Sequence, residues 1–207
     1  MVTKSKVPIL EADVDRLRAD ALSLLGRRIV AVHYHNLDYW AETGLDWPAH
    51  APVGLVDHVE EAVALVLDDG RALVAVWVPA WRIGLDVHFE STVDALAGIS
   101  ETDVSNLSDW RHLLGKPIEA VGAAWDTPHG DPPYGIPGFP DVVWKSLFAI
   151  RLSFVDGGSA SIALGQTEDG AMKPYPHSLL VIHRESLARG FGVAAGDSGA
   201  FGETIAP

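Results

Sequence analysis

The stretch VHYHN places His33 and His35 two positions apart inside an apolar run. Residues i and i+2 of a strand share a face, so both imidazoles project the same way. Neutral imidazole is the commonest ligand of zinc and related ions, which makes the pair half of a conceivable metal site. A second strand-like segment, GLDVHFES, sets Asp86, His88 and Glu90 on one face, away from Leu85, Val87 and Phe89. Were the two strands neighbours, two histidines and a carboxylate would come together.

Two long segments carry a different chemistry. NLDYWAETGLDWPAHAPVGLVDH and DTPHGDPPYGIPGFPDVVW both exceed the usual length of a connection, and such connections are commonly functional. The first holds Tyr39, Trp40, Trp47 and His50, and the second holds His129, Tyr134 and Phe139 among five prolines that stiffen it. Large aromatic side chains on stiff loops offer contact area with little rotamer entropy to lose. These residues form the candidate partner- or ligand-binding set. Folded back as lids, the same loops would instead hide their own aromatics.

Several tempting patterns carry less. The His-x-His spacing resembles that of cupins, but the cupin pattern has a Glu a few residues after the second His, where Tyr39 and Trp40 stand here. The expectation is therefore a polar strand face with no bound metal and no cofactor. If a metal were present, its ligands would be His33, His35, His88 and Glu90. HFES and HRES repeat His88 with Glu90 and His183 with Glu185, and a scaffold need explains the recurrence: Ser91 and Ser186 read as N-caps of TVDALAGI and LARGF. GDSGAF resembles the residues around the nucleophile of chymotrypsin-type serine proteases. Only nine residues follow Ser198, however, and nothing upstream resembles that family's histidine segment, so a Gly-Ser turn is expected. The sequence has no phosphate-binding glycine loop, no GxGxxG between strand and helix, and no HExxH. Without cysteine it has no disulfide, thiolate ligand or cysteine nucleophile.

The elements that must position these residues follow from periodicity. EADVDRLRADALSLLG places Leu10, Val14, Leu17, Ala21, Leu24 and Leu25 at helical spacing, with Gly26 as C-terminal cap. RRIVAVHYHN alternates as a strand, with Ile29, Ala31, His33 and His35 on one face and Val30, Val32, Tyr34 and Asn36 on the other. EEAVALVLDDGRALVAVWV predicts a hairpin turning at Asp69-Gly70. The second half follows the same order: LLGKPIEAV matches LLGRRIVAV after the helix-like SNLSDWRHLLG, and a hairpin pattern turns at Asp156-Gly157-Gly158, with Phe148, Ile150, Leu152 and Phe154 on one face. LLVIHRES closes it. The expected fold is α+β, two diverged tandem repeats at 10–99 and 100–192, each with one helix and about four mostly antiparallel strands, followed by a Gly-rich tail at 193–207. A unit this small buries little alone, so the two share or pack their sheets. Aligned on the shared block, His33 and His35 correspond to Gly122 and Ala124, so the scaffold itself does not demand imidazoles there.

Charge selects among function classes. The 207 residues carry a formal net charge of -13, which argues against nucleic acid, whose binders need a basic footprint. No apolar run spans a bilayer, and the acidic start leaves no signal-peptide hydrophobic region, so no membrane is expected and the cytoplasm is the expected location. The sequence favours an acidic interaction protein, immunity- or antitoxin-like, covering a basic protein partner. The alternative is a small-molecule-binding protein or enzyme with a His/carboxylate site between the two aromatic loops.

Overall fold

The computed structural model describes residues 11–36, 51–53, 56–78, 84–90, 100–126, 146–168, 171–173, 178–191, 193 and 201–206. It opens on α1 (Glu11–Leu24), whose Leu17, Ala21 and Leu24 are buried on one stripe, and Gly26, at φ 75°, turns the chain out of the helix. There follow β1 (Ile29–Asn36), β2 (Ala51–Val53), β3 (Val56–Val59), β4 (Ala62–Leu67), β5 (Ala72–Val78), β6 (Gly84–Glu90) and β7 (Ser100–Asp103). Then come α2 (Ser108–Arg111), β8 (Ile118–Asp126), β9 (Ser146–Phe154), β10 (Ser159–Leu164), β11 (Gln166–Glu168), β12 (Ala171–Lys173), β13 (Leu179–Ile182), α3 (Glu185–Gly190) and β14 (Phe201–Ala206). The fold is mixed, helices with antiparallel sheets, which is the α+β class. Among the described residues no helix is long and apolar enough to cross a membrane.

Two sheets hold nearly all the strands. The five-stranded sheet runs β6-β5-β4-β1-β7, and the seven-stranded sheet runs β14-β8-β9-β10-β13-β3-β2. Read from β7 and from β14, the first five strands of each are met in the same order along the chain. Local details match as well. Gly26 N–H donates to Ile118 O at 2.9 Å and Gly115 N–H donates to Ile29 O at 2.9 Å, a reciprocal pair joining the starts of β1 and β8. Gly26 and Gly115 share φ 75°, and Gly70 and Gly157 share φ 84° in the two hairpin turns. Asp68 N–H bonds Arg28 O at 2.9 Å just as Val155 N–H bonds Pro117 O at 3.0 Å.

Both halves feed one core. Leu17, Ala21 and Leu24 of α1, Val32, Leu65 and Leu73 of the smaller sheet, and Ile150, Leu152 and Ile162 of the larger belong to one buried cluster. β3 couples the halves further: early in the chain, it pairs with β13 (Leu179 opposite Val59) rather than with its sequence neighbours in the other sheet.

Three expectations need adjustment. The alternation of β1 breaks between Ile29 and Ala31, where the register shifts, so Ile29 joins Val32 and Tyr34 in the core while Val30 is 51% exposed. A matching shift separates Ile118 from Ala120. The HFES/HRES equivalence is one residue out: His88 lies opposite Val74 and Ile182 lies opposite Ser161, so the turn-to-strand count pairs His88 with Ile182, not His183. Ser186 is no cap, because Arg184 is the N-cap of α3 and makes no side-chain cap hydrogen bond. β14 lies within the Gly-rich tail and lines β8 with two register shifts, and β7, at the start of the 100–192 stretch, lies beside β1.

The second hairpin turn yields a stability prediction. Gly158 has φ 95°, and a Cβ there would stand 2.7 Å from Leu113 Cδ2. Gly158→Ala is expected to destabilise by about 1–3 kcal/mol through the left-handed backbone and the displaced Leu113. Gly70→Ala, with nothing within 4 Å of its Cβ, carries only the backbone cost. Urea unfolding of both variants checks this, and equal midpoints for the two would refute the packing component.

Candidate functional site

The most developed polar constellation lies where the two sheets meet. Tyr34, on the core face of β1, is fully buried, and an isolated phenol there needs a partner for its hydroxyl. Its Oη donates to Asp57 Oδ2 of β3 at 2.7 Å and accepts from Trp110 Nε1 of α2 at 2.7 Å. His183, one residue past β13, sets its ring edge-on to Trp110 with centroids 4.6 Å apart, and its Nε2 is 4.0 Å from Asp57 Oδ2. Four side chains, from β1, β3, α2 and the residue after β13, thus converge, and the distance from His183 to Asp57 is too long for a hydrogen bond.

Electrostatics fix the protonation of this group. Burial, and then the charge of Asp57, push the Tyr34 phenol well above its ordinary range, so its proton stays on the oxygen and is directed at the carboxylate. Burial lowers the His183 pKa against the opposing pull of Asp57 and Asp109, and neither of its ring nitrogens has a hydrogen-bond partner. The set is a buried carboxylate held by a tyrosine, with an uncommitted imidazole beside it. The first three tie the sheets together; His183 is the member with chemical capacity to spare.

The second constellation is the face of the five-stranded sheet that bears His33 and His35. His33 lies opposite Asp103 and His35 opposite Glu101. Glu101 reaches diagonally to His33, with Oε1 2.7 Å from Nδ1. His35 is 1% exposed, both its nitrogens lack partners, and burial lowers its pKa. Asp103 turns to the chain instead: it accepts Ser105 N–H at 2.9 Å, and its bonds to Ser105 hold its carboxyl below the usual range. Ser105 Oγ in turn accepts Val32 N–H at 2.9 Å. Beside the histidines runs a buried strip of Ala62, Ala64, Ala72 and Val74.

The ligand set named for the case of a bound metal is spread across the sheet. β6 is separated from β1 by β5 and β4, which puts His88 and Glu90 about 14 Å from the β1 histidines at ordinary strand spacing. Among the described residues no group of three or more His, Asp or Glu side chains is disposed to hold a metal. Tyr39, Trp40, Trp47, His50, His129, Tyr134 and Phe139 lie outside the described residues, as do Ser91 and Ser198. The Tyr34–Asp57–Trp110–His183 group was missed by sequence reasoning, since its members span 34 to 183 with no local spacing. The one available signal was a tyrosine among valines on the face that had to be buried. Comparison with known proteins returns no match, whether with family models, curated sequences or solved structures.

Proposed function

We propose that the chain is an acidic interaction protein that covers a basic protein partner in the manner of an immunity protein or antitoxin, and that it acts in the cytoplasm without binding nucleic acid. The observation that supports this reading is the acidic edge strand β7. It ends the five-stranded sheet, pairs on one side with β1, and exposes Glu101 and Asp103 in a chain of net charge -13. Exposed carboxylates on a strand whose second edge pairs with no other described strand offer a cationic partner charge complementarity and main-chain groups together. The repeated strand order and the paired turn glycines support a further part of the reading, that the chain arose by duplication of one helix-and-meander unit. In that reading the units differ where function was added, and His33 and His35 stand where the other unit has Gly122 and Ala124.

The test is affinity capture from extracts of the source cells at low and high salt, comparing the natural chain with Glu101→Lys. A basic protein should be recovered at low salt and lost at high salt, with binding at least tenfold weaker for the charge-reversed variant. Captured proteins that are indifferent to both salt and charge reversal would remove the reading. One observation favours the alternative of a small-molecule-binding protein or enzyme: His183, buried and unbonded beside Asp57, supplies the His/carboxylate pair such a site needs.

A further inference from the structure

We propose that the face of the seven-stranded sheet bearing Arg151 and Ser161 carries a buried oxyanion site, which takes the carboxylate or phosphate group of a small ligand. Arg151 of β9 lies directly opposite Ser161 of β10 on one side and Gly122 of β8 on the other. Its side chain is 14% exposed, and only Nη2 is engaged, 2.6 Å from Glu185 Oε2. Nε and Nη1 are buried with no hydrogen-bond partner, and so is the hydroxyl of Ser161, a residue with 0% exposure.

A guanidinium cannot escape burial by losing its proton, so donors left without acceptors are a standing cost. Packing does not require that cost here. The residues at the same hairpin positions of the five-stranded sheet are Ala64 and Val74, paired with each other as Arg151 is with Ser161. The fold therefore accepts plain apolar residues where this sheet places a cation and a hydroxyl. Glu185 does not neutralise Arg151 alone, because its other oxygen lies 3.4 Å from Arg189 Nη2. Two remaining guanidinium donors and an adjacent hydroxyl suit a group with several acceptor oxygens, which a carboxylate or a phosphate provides. Glu185, partly exposed beside them, competes for the same cation and sets the affinity of the site. The inference is independent of the partner proposed above.

The experiment is calorimetric titration of the full chain with sodium phosphate and, separately, sodium acetate at pH 7.5 and constant ionic strength, with chloride as reference. One saturable site is expected for at least one of the two anions. Saturation by phosphate alone assigns a phosphoryl ligand, and saturation by acetate assigns a carboxylate. Binding should vanish in Arg151→Gln, weaken about tenfold in Ser161→Ala, and tighten about tenfold in Glu185→Gln, where the competing charge is gone. Because the arginine variant risks misfolding, the small change at Ser161 carries the decision if it does. The proposal is overturned if neither anion saturates a site in the natural chain or in Glu185→Gln. Binding unchanged in Ser161→Ala and Arg151→Gln would overturn it equally, as the mark of an adventitious ion only.

Discussion

Tyr34→Phe is expected to lower the unfolding free energy by about 3 kcal/mol, although it removes a single oxygen atom. That oxygen serves two buried groups at once. Without it Trp110 Nε1–H loses its acceptor and Asp57 Oδ2 loses a donor at 2.7 Å, so a polar group and a carboxylate are stranded together. A coupled loss has a recognisable signature. Asp57→Val combined with Tyr34→Phe should cost at least about 1 kcal/mol less than the sum of the single changes, because the second substitution removes a group the first has already orphaned. Denaturant unfolding of the four proteins gives the cycle. A Tyr34→Phe variant within about 0.5 kcal/mol of the natural chain would mean that water replaces the hydroxyl and that the network does not hold the sheets.

Acid should weaken the fold well before its carboxylates protonate. His35, His58 and His183 all have pKa values lowered from 6.5, with burial as the leading cause in each. Above 6.5 these residues are neutral in both folded and unfolded chains and contribute no pH dependence. As pH falls through 6.5 the unfolded chain takes up protons that the folded chain refuses, so stability is lost at up to about 1.4 kcal/mol per pH unit for each histidine still neutral in the fold. The loss ends once the lowered pKa values are passed. Glu61 works in the opposite sense: burial, then Glu60, raises its pKa, so its contribution is present at low pH and fades as pH rises through the folded value. Asp69 and Asp103, both lowered, give up their contributions only as pH falls below 3.8. Urea unfolding at pH 7.5, 6.5 and 5.5 should show a decline confined to the lower interval. A flat profile there would show that the imidazoles are charged and paired within the fold. His183→Phe should reduce the slope, by one proton at most.

The local parts of this architecture were readable because each rests on neighbours in sequence. The α1 stripe, its Gly26 cap and the turns at Asp69-Gly70 and Asp156-Gly157-Gly158 need only helical spacing or a positive φ, and a residue type announces both. The face of β1 was half legible. His33 and His35 share a side as alternation requires, but Ile29 does not join them, since an extra residue in the strand leaves no mark in composition. The site was least legible. Asp57 reads as one acid among 28; Trp110 joins it through the shared Tyr34 hydroxyl, and His183 through the pairing of β3 with β13. Arg151 gives no signal in the sequence, because it occupies a polar slot of an alternating strand, where solvent exposure is the ordinary outcome.

The placement of β3 also bears on how the chain is born. Val59 and Leu179, which pair across β3 and β13, are 120 positions apart. A ribosome adding about 5–20 residues per second separates them by roughly 6 to 24 s. Throughout that interval β3 has been made while the strand edge it will occupy has not, and Tyr34 and Asp57 exist without Trp110 for part of it and without His183 for all of it. The nascent first half therefore presents β3 with one edge paired to β2 and the other still open, a buried-type carboxylate at its centre, and its completion is timed by the last quarter of translation rather than by its own synthesis.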